Sequence, residues 1–171
     1  MKEIVVTPTQ KTDLIWIERA LELADKGSSL GDGGPFGAVI TASKNNSNEL
    51  IVVGEGWNHV IKNNDPTAHA EVVAIRAACS QLKQFHLANT TLYSSCEPCP
   101  MCLAAAYWAN IPRIVFAATR NDAENIGFSD AFIYQDIAQP IDKRKIKMQH
   151  FPSQKIIEIM KRWQHRSPQL Y

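Results

Sequence analysis

The feature that most constrains this chain is a pair of short segments rich in metal-binding side chains, residues 69–71 (His-Ala-Glu) and residues 98–102 (Pro-Cys-Pro-Met-Cys). His69, Cys99 and Cys102 form a ligand set that suits a single zinc ion. One ion binds all three only if the fold brings the two segments together. Three protein ligands also leave one position of a tetrahedral zinc ion open for water, as in catalytic rather than structural sites.

The spacing within each segment favours catalysis. Cys99 and Cys102 are three residues apart, so they share one face of a helix that begins near Pro98. The positive partial charge at a helix N-terminus favours their thiolate forms. Because two thiolates cancel the charge of zinc, a nearby carboxylate is useful, and Glu71 is predicted to accept the proton of the water and pass it to the substrate.

A structural zinc site is the alternative. Such a site needs a fourth protein ligand, which Cys96 would supply, and it gains nothing from Glu71. Three of the four cysteines lie between residues 96 and 102, which suits metal binding in a reducing compartment better than a disulfide framework. The pairing of His-x-Glu with Pro-Cys-x-x-Cys favours the catalytic interpretation.

Length and composition favour one globular domain. The 171 residues are 45% hydrophobic and 20% charged, which is ordinary for a chain that buries its own core, so one domain over residues 1–171 is expected. The first residues lack the apolar run of a signal peptide, and no stretch approaches the roughly 20 apolar residues that span a bilayer. The expected location is therefore the cytoplasm, without a membrane partner.

The net charge of +1 hides an uneven distribution. Residues 141–171 carry eight Lys or Arg and two acidic residues, whereas residues 1–140 carry ten basic and fifteen acidic residues. A basic end is able to contact nucleic acid. A solvated helix face that also contacts the acidic body explains the charge more simply, so nucleic acid is not an expected partner.

The local patterns predict an α/β fold. Apolar spacing and capping residues predict helices at residues 12–27, 67–82, 98–109 and 153–166, and apolar or β-branched runs predict strands at 36–40, 49–58, 90–94, 113–118 and 145–151. This order predicts a three-layer α/β/α sandwich, in which a mixed sheet of about five strands, including an antiparallel hairpin, carries helices on both faces. The Gly-rich residues 31–37 lack the Lys-Ser/Thr ending of a phosphate loop and are predicted to let the backbone approach a ligand closely.

These motifs make the chain similar to a known superfamily. The pattern H-x-E…P-C-x-x-C is the signature of zinc-dependent nucleobase deaminases. The chain resembles the cytidine-deaminase-like superfamily and, within it, the bacterial guanine deaminases, over residues 33–171. Residues 64–71 and, in part, 96–102 are similar to the tRNA adenosine deaminases too, so these stretches indicate the superfamily and not the base.

The resemblance to guanine deaminases implies further site residues. Residues 127–134 are similar to the segment that carries an acidic proton shuttle in that family, which places this role on Asp130. The chain ends in Tyr171, as in guanine deaminases whose C-terminal segment closes the active site. A planar purine also needs stacking surfaces and hydrogen-bonding partners. The implied contacts to the base are Phe36, Trp108 and Phe128 as walls, Asn58 through its amide and Ala70 through its backbone N–H.

Several of these residues also have a simpler structural interpretation. Phe36 and Trp108 would be ordinary core side chains. Asp130 would cap a helix, and Tyr171 would be a chain end without a function.

The resemblance implies a zinc hydrolase that converts guanine and water to xanthine and ammonia by attack at C2 of the base. Guanosine deamination and tRNA adenosine deamination are the alternatives within the superfamily, and a zinc-dependent binding module is the alternative outside catalysis. The family also implies a homodimer, in which residues 153–171 close the active site of their own subunit or, by swapping, that of its partner.

Overall fold

The structure, a computed structural model, describes residues 8–44, 47 and 49–166. The chain divides into two compact units, Met1–Asp130 and Ala131–Tyr171. The single domain over residues 1–171, with residues 153–171 as a closing segment, stays a prediction.

The first unit consists of a sheet and the helices that precede and connect its strands. Its elements are α1 (Pro8–Ser29), β1 (Gly37–Ser43), β2 (Leu50–Trp57), α2 (Val60–Asn63), α3 (Ala70–Leu82), β3 (Thr90–Cys96), α4 (Pro100–Trp108), β4 (Arg113–Ala118) and α5 (Arg120–Asn125). The second unit contains α6 (Ala131–Ile137), a short 3₁₀ turn (Ile141–Lys143) and α7 (Gln154–Arg166).

The strands of the first unit form one mixed, four-stranded sheet in the order β2-β1-β3-β4. β1 pairs antiparallel with both β2 and β3, and β3 pairs parallel with β4. The predicted α/β class and the antiparallel hairpin are confirmed. Because α4 connects two parallel strands, the carboxyl ends of β3 and β4 lie at the same edge of the sheet, and α4 begins just beyond that edge.

The predicted fifth strand at residues 145–151 is wrong, since this segment is neither helix nor strand. Its alternation of Ile146 and Met148 with lysines is a strand pattern, but a strand also needs a partner to complete its hydrogen-bond ladder. Among the described residues of the second unit there is no strand to pair with it. Ile146 is accordingly 75% exposed and Phe151 77% exposed.

The pleat of β1 directs its side chains to two hydrophobic clusters, one on each face of the sheet. Ala38 and Ile40 join the cluster that includes α3, whereas Val39 joins the cluster that includes α1. The sheet therefore lies between helices, which is the predicted three-layer arrangement.

Small residues bring α3 close to the sheet. Ala70, Ala74 and Ala78 are fully buried and lie four residues apart, so they form one flat face of the helix. A Cβ atom on Gly54 of β2 would lie 2.4 Å from the carbonyl oxygen of Ala74, so only glycine permits this approach. The close packing fixes the N-terminus of α3, where His69 lies.

Three helices begin at different residues from those predicted. α4 begins at Pro100 and not at Pro98. α1 begins earlier, at Pro8, and continues past Gly27 to Ser29. α3 begins at Ala70 and not at Thr67. The backbone N–H and the hydroxyl of Thr67 both donate to Oδ1 of Asp65, at 2.8 and 2.7 Å, and such local bonds hold a turn in place of helix.

The second unit ends in an amphipathic helix. Five large apolar residues of α7 lie on one side of the helix and are all exposed by at least 41%: Ile156, Ile157, Ile159, Met160 and Trp163. Neither α7 nor any other helix in the described part of the chain combines the length and apolar character needed to cross a membrane.

Candidate active site

The two metal-binding segments meet at the N-termini of α3 and α4. His69 is the N-cap residue of α3 and Cys99 is the N-cap residue of α4, and both have extended backbone conformations. Cys102 lies in the first turn of α4 and is fully buried. Pro100 begins α4, where a missing N–H leaves no hydrogen bond unmade. The structure thus brings together the three predicted ligands.

The three ligand atoms have the spacing of a tetrahedral zinc site. Nδ1 of His69 lies 3.6 Å from Sγ of Cys99 and 3.5 Å from Sγ of Cys102. Zn–S bonds of about 2.3 Å and Zn–N bonds of about 2.0 Å at a tetrahedral angle would separate nitrogen and sulfur by about 3.5 Å. The observed distances match this value, so the donor set fits zinc, with Nδ1 as the histidine ligand.

The two thiols of this set differ in their pKa values. The Cys102 thiol donates a hydrogen bond to Oε2 of Glu71 at 3.4 Å. A hydrogen-bonding contact with Cys102 lowers the pKa of the Cys99 thiol to about 4, and a hydrogen bond with His69 adds to this effect. The same contact between the cysteines, together with burial, raises the pKa of the Cys102 thiol. A metal dication that binds both sulfur atoms would displace the proton of the Cys102 thiol.

Cys96 is directed away from the ligand set. Its thiol donates to the carbonyl oxygen of Thr119 at 3.5 Å, and burial raises its pKa to about 11. This geometry favours a three-ligand site over the four-ligand structural alternative.

Glu71 lies beside the ligands and is 6% exposed. Its Oε1 accepts a hydrogen bond from Oγ of Ser94 at 3.4 Å, and its Oε2 lies 3.4 Å from Sγ of Cys102. Burial raises the pKa of the Glu71 carboxyl. A carboxyl group with a raised pKa is able to accept and return a proton near neutral pH.

Asn58 is 4% exposed and is held in one orientation. Its Oδ1 accepts a hydrogen bond from the backbone N–H of Val60 at 3.1 Å, which leaves the amide NH₂ to donate to another partner. A Cβ atom on Gly33 would lie 2.1 Å from Oδ1 of Asn58. Glycine in the Gly-rich loop therefore makes room for the Asn58 side chain.

Phe36 and Phe128 form an edge-to-face pair with ring centroids 5.0 Å apart and an interplanar angle of 89°. Phe36 packs on the core cluster, whereas Phe128 is 46% exposed. Asp130 follows shortly after Phe128. Burial and the nearby thiolate of Cys99 raise the pKa of the Asp130 carboxyl, so this carboxyl lies within electrostatic reach of the ligand set.

The roles of two further predicted site residues, Trp108 and Tyr171, stay predictions. Trp108 is the last residue of the nine-residue α4, so its backbone lies about 13 Å along the helix axis from Cys99. Its side chain is 67% exposed. Tyr171 lies outside the described residues, and its role stays a prediction.

Residues 10–118 match the family described as the cytidine and deoxycytidylate deaminase zinc-binding region. The match contains all three ligands and Glu71. The chain belongs to this deaminase family.

Individual deaminases are similar to the chain over different extents. It is 48% identical over 131 residues to the guanine deaminase of Bacillus subtilis (strain 168), covering 77% of this chain and 80% of the relative. The X-ray structure of guanine deaminase from Bacillus subtilis has a TM-score of 0.83 at 41% identity, over 92% of this chain and 97% of that one. A structure solved in complex with 2,6-diaminopurine has a TM-score of 0.61 at 29% identity, over 75% and 65% of the two chains. A tRNA-specific adenosine deaminase from Haemophilus influenzae is 44% identical over 108 residues, which is 63% of this chain and 59% of the relative.

Two serines of β3 support this deaminase site although the sequence analysis did not single them out. Ser94 donates to Glu71, and Oγ of Ser95 accepts a hydrogen bond from the backbone N–H of Gly37 at 3.0 Å. Both serines are buried. The sequence signal for Ser94 and Ser95 is that two hydroxyl residues lie at the end of a predicted strand, just before Cys96. Buried polar groups need hydrogen-bond partners, so such a pair indicates a polar site at the end of the strand.

We expect His69→Ala and Cys102→Ala to lower the zinc content from about one ion per chain to near zero, because two remaining ligands bind the metal weakly. Cys96→Ala is the matched control and should keep the full zinc content, since the Cys96 thiol is directed at Thr119. Elemental analysis of dialysed protein measures the result. Loss of zinc from Cys96→Ala would instead make Cys96 a ligand.

Proposed function

We propose that the protein is a zinc-dependent guanine deaminase that hydrolyses guanine to xanthine and ammonia in purine catabolism or salvage. The observation that carries this proposal is the extent of the similarity to guanine deaminase, which reaches 92% of this chain at a TM-score of 0.83. This similarity extends beyond the zinc-binding region at residues 10–118. By sequence the identity to guanine deaminase is 48% over 131 residues, whereas a tRNA-specific adenosine deaminase that matches 136 residues is 35% identical.

His69, Cys99 and Cys102 would hold the metal, because their atoms have both the spacing and the softness that zinc prefers. When bound there, zinc supplies a Lewis acid that lowers the pKa of a water molecule and so makes a nucleophile available near neutral pH. All four cysteines are free. Free thiols and thiolate ligands suit the reducing cytoplasm, where we place the protein.

Glu71 would carry the proton of the reaction. Its Oε2 lies 3.4 Å from Sγ of Cys102, which puts the carboxyl beside the metal-binding atoms, and Ser94 holds Oε1. Because burial raises the pKa of this carboxyl, Glu71 is suited both to take a proton from the attacking water and to give it to a ring nitrogen of the base. Water would then add at C2, and the proton of the new C2 hydroxyl would pass through Glu71 to the 2-amino group, so that the C2–N bond breaks, the C2 carbonyl forms and ammonia leaves.

The surrounding residues suit a flat purine. Phe36 and Phe128 offer aromatic surfaces of the kind on which a planar ring packs. The amide NH₂ of Asn58 would donate to an acceptor of the base. The backbone N–H of Ala70 begins α3, and the first N–H groups of a helix have no partner within it. Asp130 would share the proton transfer with Glu71.

We expect Glu71→Gln to keep the zinc ion and to lower guanine turnover about 10³-fold, because general acid–base catalysis contributes about 10²- to 10⁴-fold. Glutamine fills the same space and still accepts the hydrogen bond from Ser94, but it cannot carry the proton. Glu55→Gln, at a half-buried surface carboxylate, is the control and should retain turnover. Ammonia release and zinc content are the measurements, and near wild-type turnover by zinc-loaded Glu71→Gln would refute the catalytic role.

A substrate panel tests the choice of base. Guanine, guanosine, adenine, cytosine and cytidine are incubated separately with the zinc-loaded protein, and ammonia release is measured. Guanine alone is expected to react at an appreciable rate. Release from guanosine but not guanine would make the protein a nucleoside deaminase, and deamination of a tRNA anticodon stem-loop, with binding that weakens steeply with salt, would support the nucleic-acid alternative.

We extend the proposal to a homodimer in which residues 153–171 close the active site of their own subunit or of the partner. The exposed apolar side of α7 supports this, since a row of five large apolar residues is more typical of an interface than of a solvated helix. Tyr107 and Trp108 on α4 are 74% and 67% exposed and add a second apolar surface. Trp108 would then contact a partner chain or, in the assembled dimer, approach a base.

We expect removal of residues 153–171 to abolish guanine turnover, because the site would lose its closing segment and remain open to water. Sedimentation analysis of the same variant is expected to show a shift from dimer to monomer. Tyr171→Ala in the full chain separates the two effects, since it should remain dimeric but lose most turnover. Full activity in both variants would leave the C-terminal segment without a catalytic role.

A further inference from the structure

We propose that the ion pair between Glu97 and Arg120 is a positioning device for catalysis. It ties the loop that presents the cysteine ligands to residues 119–130, which carry Phe128 and Asp130. The inference rests on the proposed function, because the placement of those two side chains affects a reaction only if the site binds a purine.

Arg120 binds Glu97 through both its backbone and its side chain. The backbone N–H donates to Oε2 at 3.1 Å, Nε donates to Oε1 at 3.0 Å, and Nη2 donates to the same Oε1. A guanidinium and a carboxylate joined by more than one bond are fixed in orientation as well as in distance. Glu97 therefore holds the main chain at the start of α5 together with the arginine side chain.

Two further hydrogen bonds join the same two stretches of chain. The backbone N–H of Glu97 donates to the carbonyl of Ala118 at 2.9 Å, and the thiol of Cys96 donates to the carbonyl of Thr119 at 3.5 Å. They continue the parallel pairing of β3 with β4 beyond its last residue pair, Cys96 with Ala118. Loops at the carboxyl ends of parallel strands carry ligand sites in α/β sheets, and here the loop after β3 leads directly to Cys99.

Short-range hydrogen bonds hold together the chain that follows Arg120, so a shift of Arg120 would also shift Phe128. Thr119 and Asp122 form a capping box at the start of α5. The backbone N–H of Phe128 donates to the carbonyl of Ala123 at 3.0 Å, so α5 and the following turn form one piece. The Phe128 ring then meets Phe36. A shift of α5 would displace this aromatic surface, and a misplacement of about 1 Å is enough to slow an enzyme.

A second ion pair of the same chemistry serves as a matched control. Nε and Nη2 of Arg19 donate to the two carboxylate oxygens of Glu55 at 2.7 and 2.8 Å. Its side chains are 42% and 31% exposed, against 40% and 22% for Arg120 and Glu97. This pair joins α1 to β2. Arg19 also donates to Oε2 of Glu22 at 2.9 Å, so Arg19→Ala reports the largest loss of stability that breaking one such ion pair would cause.

The experiment compares the zinc-loaded wild type with Arg120→Ala, Arg120→Lys, Glu97→Gln, the double variant Glu97→Gln/Arg120→Ala, and Arg19→Ala. We expect Arg120→Ala to lower kcat/KM for guanine about tenfold, or 1.4 kcal/mol, while zinc content is unchanged and Tm falls no further than in Arg19→Ala. Arg120→Lys should recover part of the loss. The double variant should lose no more than Arg120→Ala, because both changes break one contact.

Hydrogen exchange gives a readout that needs no substrate. Backbone amides of residues 121–130 should exchange faster in Arg120→Ala than in the wild type and remain unchanged in Arg19→Ala. The proposal would be overturned if Arg120→Ala left either the exchange of residues 121–130 or kcat/KM unchanged. It would also be overturned if Arg19→Ala lowered kcat/KM equally, or if the losses in kcat/KM multiplied in the double variant. A wild type that fails to deaminate guanine would refute the proposed function, whereas the exchange result still decides whether the pair holds this segment.

Discussion

The approach of two helix N-termini is the contact on which the site depends. α3 begins at His69 and α4 begins at Cys99, so the positive ends of both helices face the same small volume. Each helix end favours nearby negative charge by about 0.3–1 kcal/mol. That field favours the thiolate form of Cys99, which is half-buried. The metal-binding geometry thus follows from where the helices begin.

The sheet holds the two helices in this arrangement. Gly54 lets α3 pack against β2 at a distance that a side chain would forbid. α4 follows β3 directly, so its start is set by the parallel pairing of β3 with β4. The serines at the end of β3 connect the same strand to Glu71 and to the Gly-rich loop. β3 therefore helps to position Glu71, the two cysteines and the Gly-rich loop.

Prediction from sequence was accurate where local chemistry decides the structure and inaccurate where a distant partner decides it. β4 has the predicted bounds, because a short run of apolar and β-branched residues strongly favours a strand. Residues 145–151 carry a strand pattern but find no strand to pair with in the described part of their unit. Thr67 has the composition of a helix cap, yet Asp65 holds it in a turn.

The sequence by itself determined the chemistry of this protein: a His/Cys/Cys ligand set, a glutamate beside it and an α/β fold to hold them. The side-chain types and the short spacings within each of the two segments indicated this set, and the fold brings the two segments together. Only the tertiary structure decided which thiol stays out of the set and that Glu97 is tied to Arg120. Each of these joins residues far apart in sequence, and the packing of the sheet and helices sets their distances.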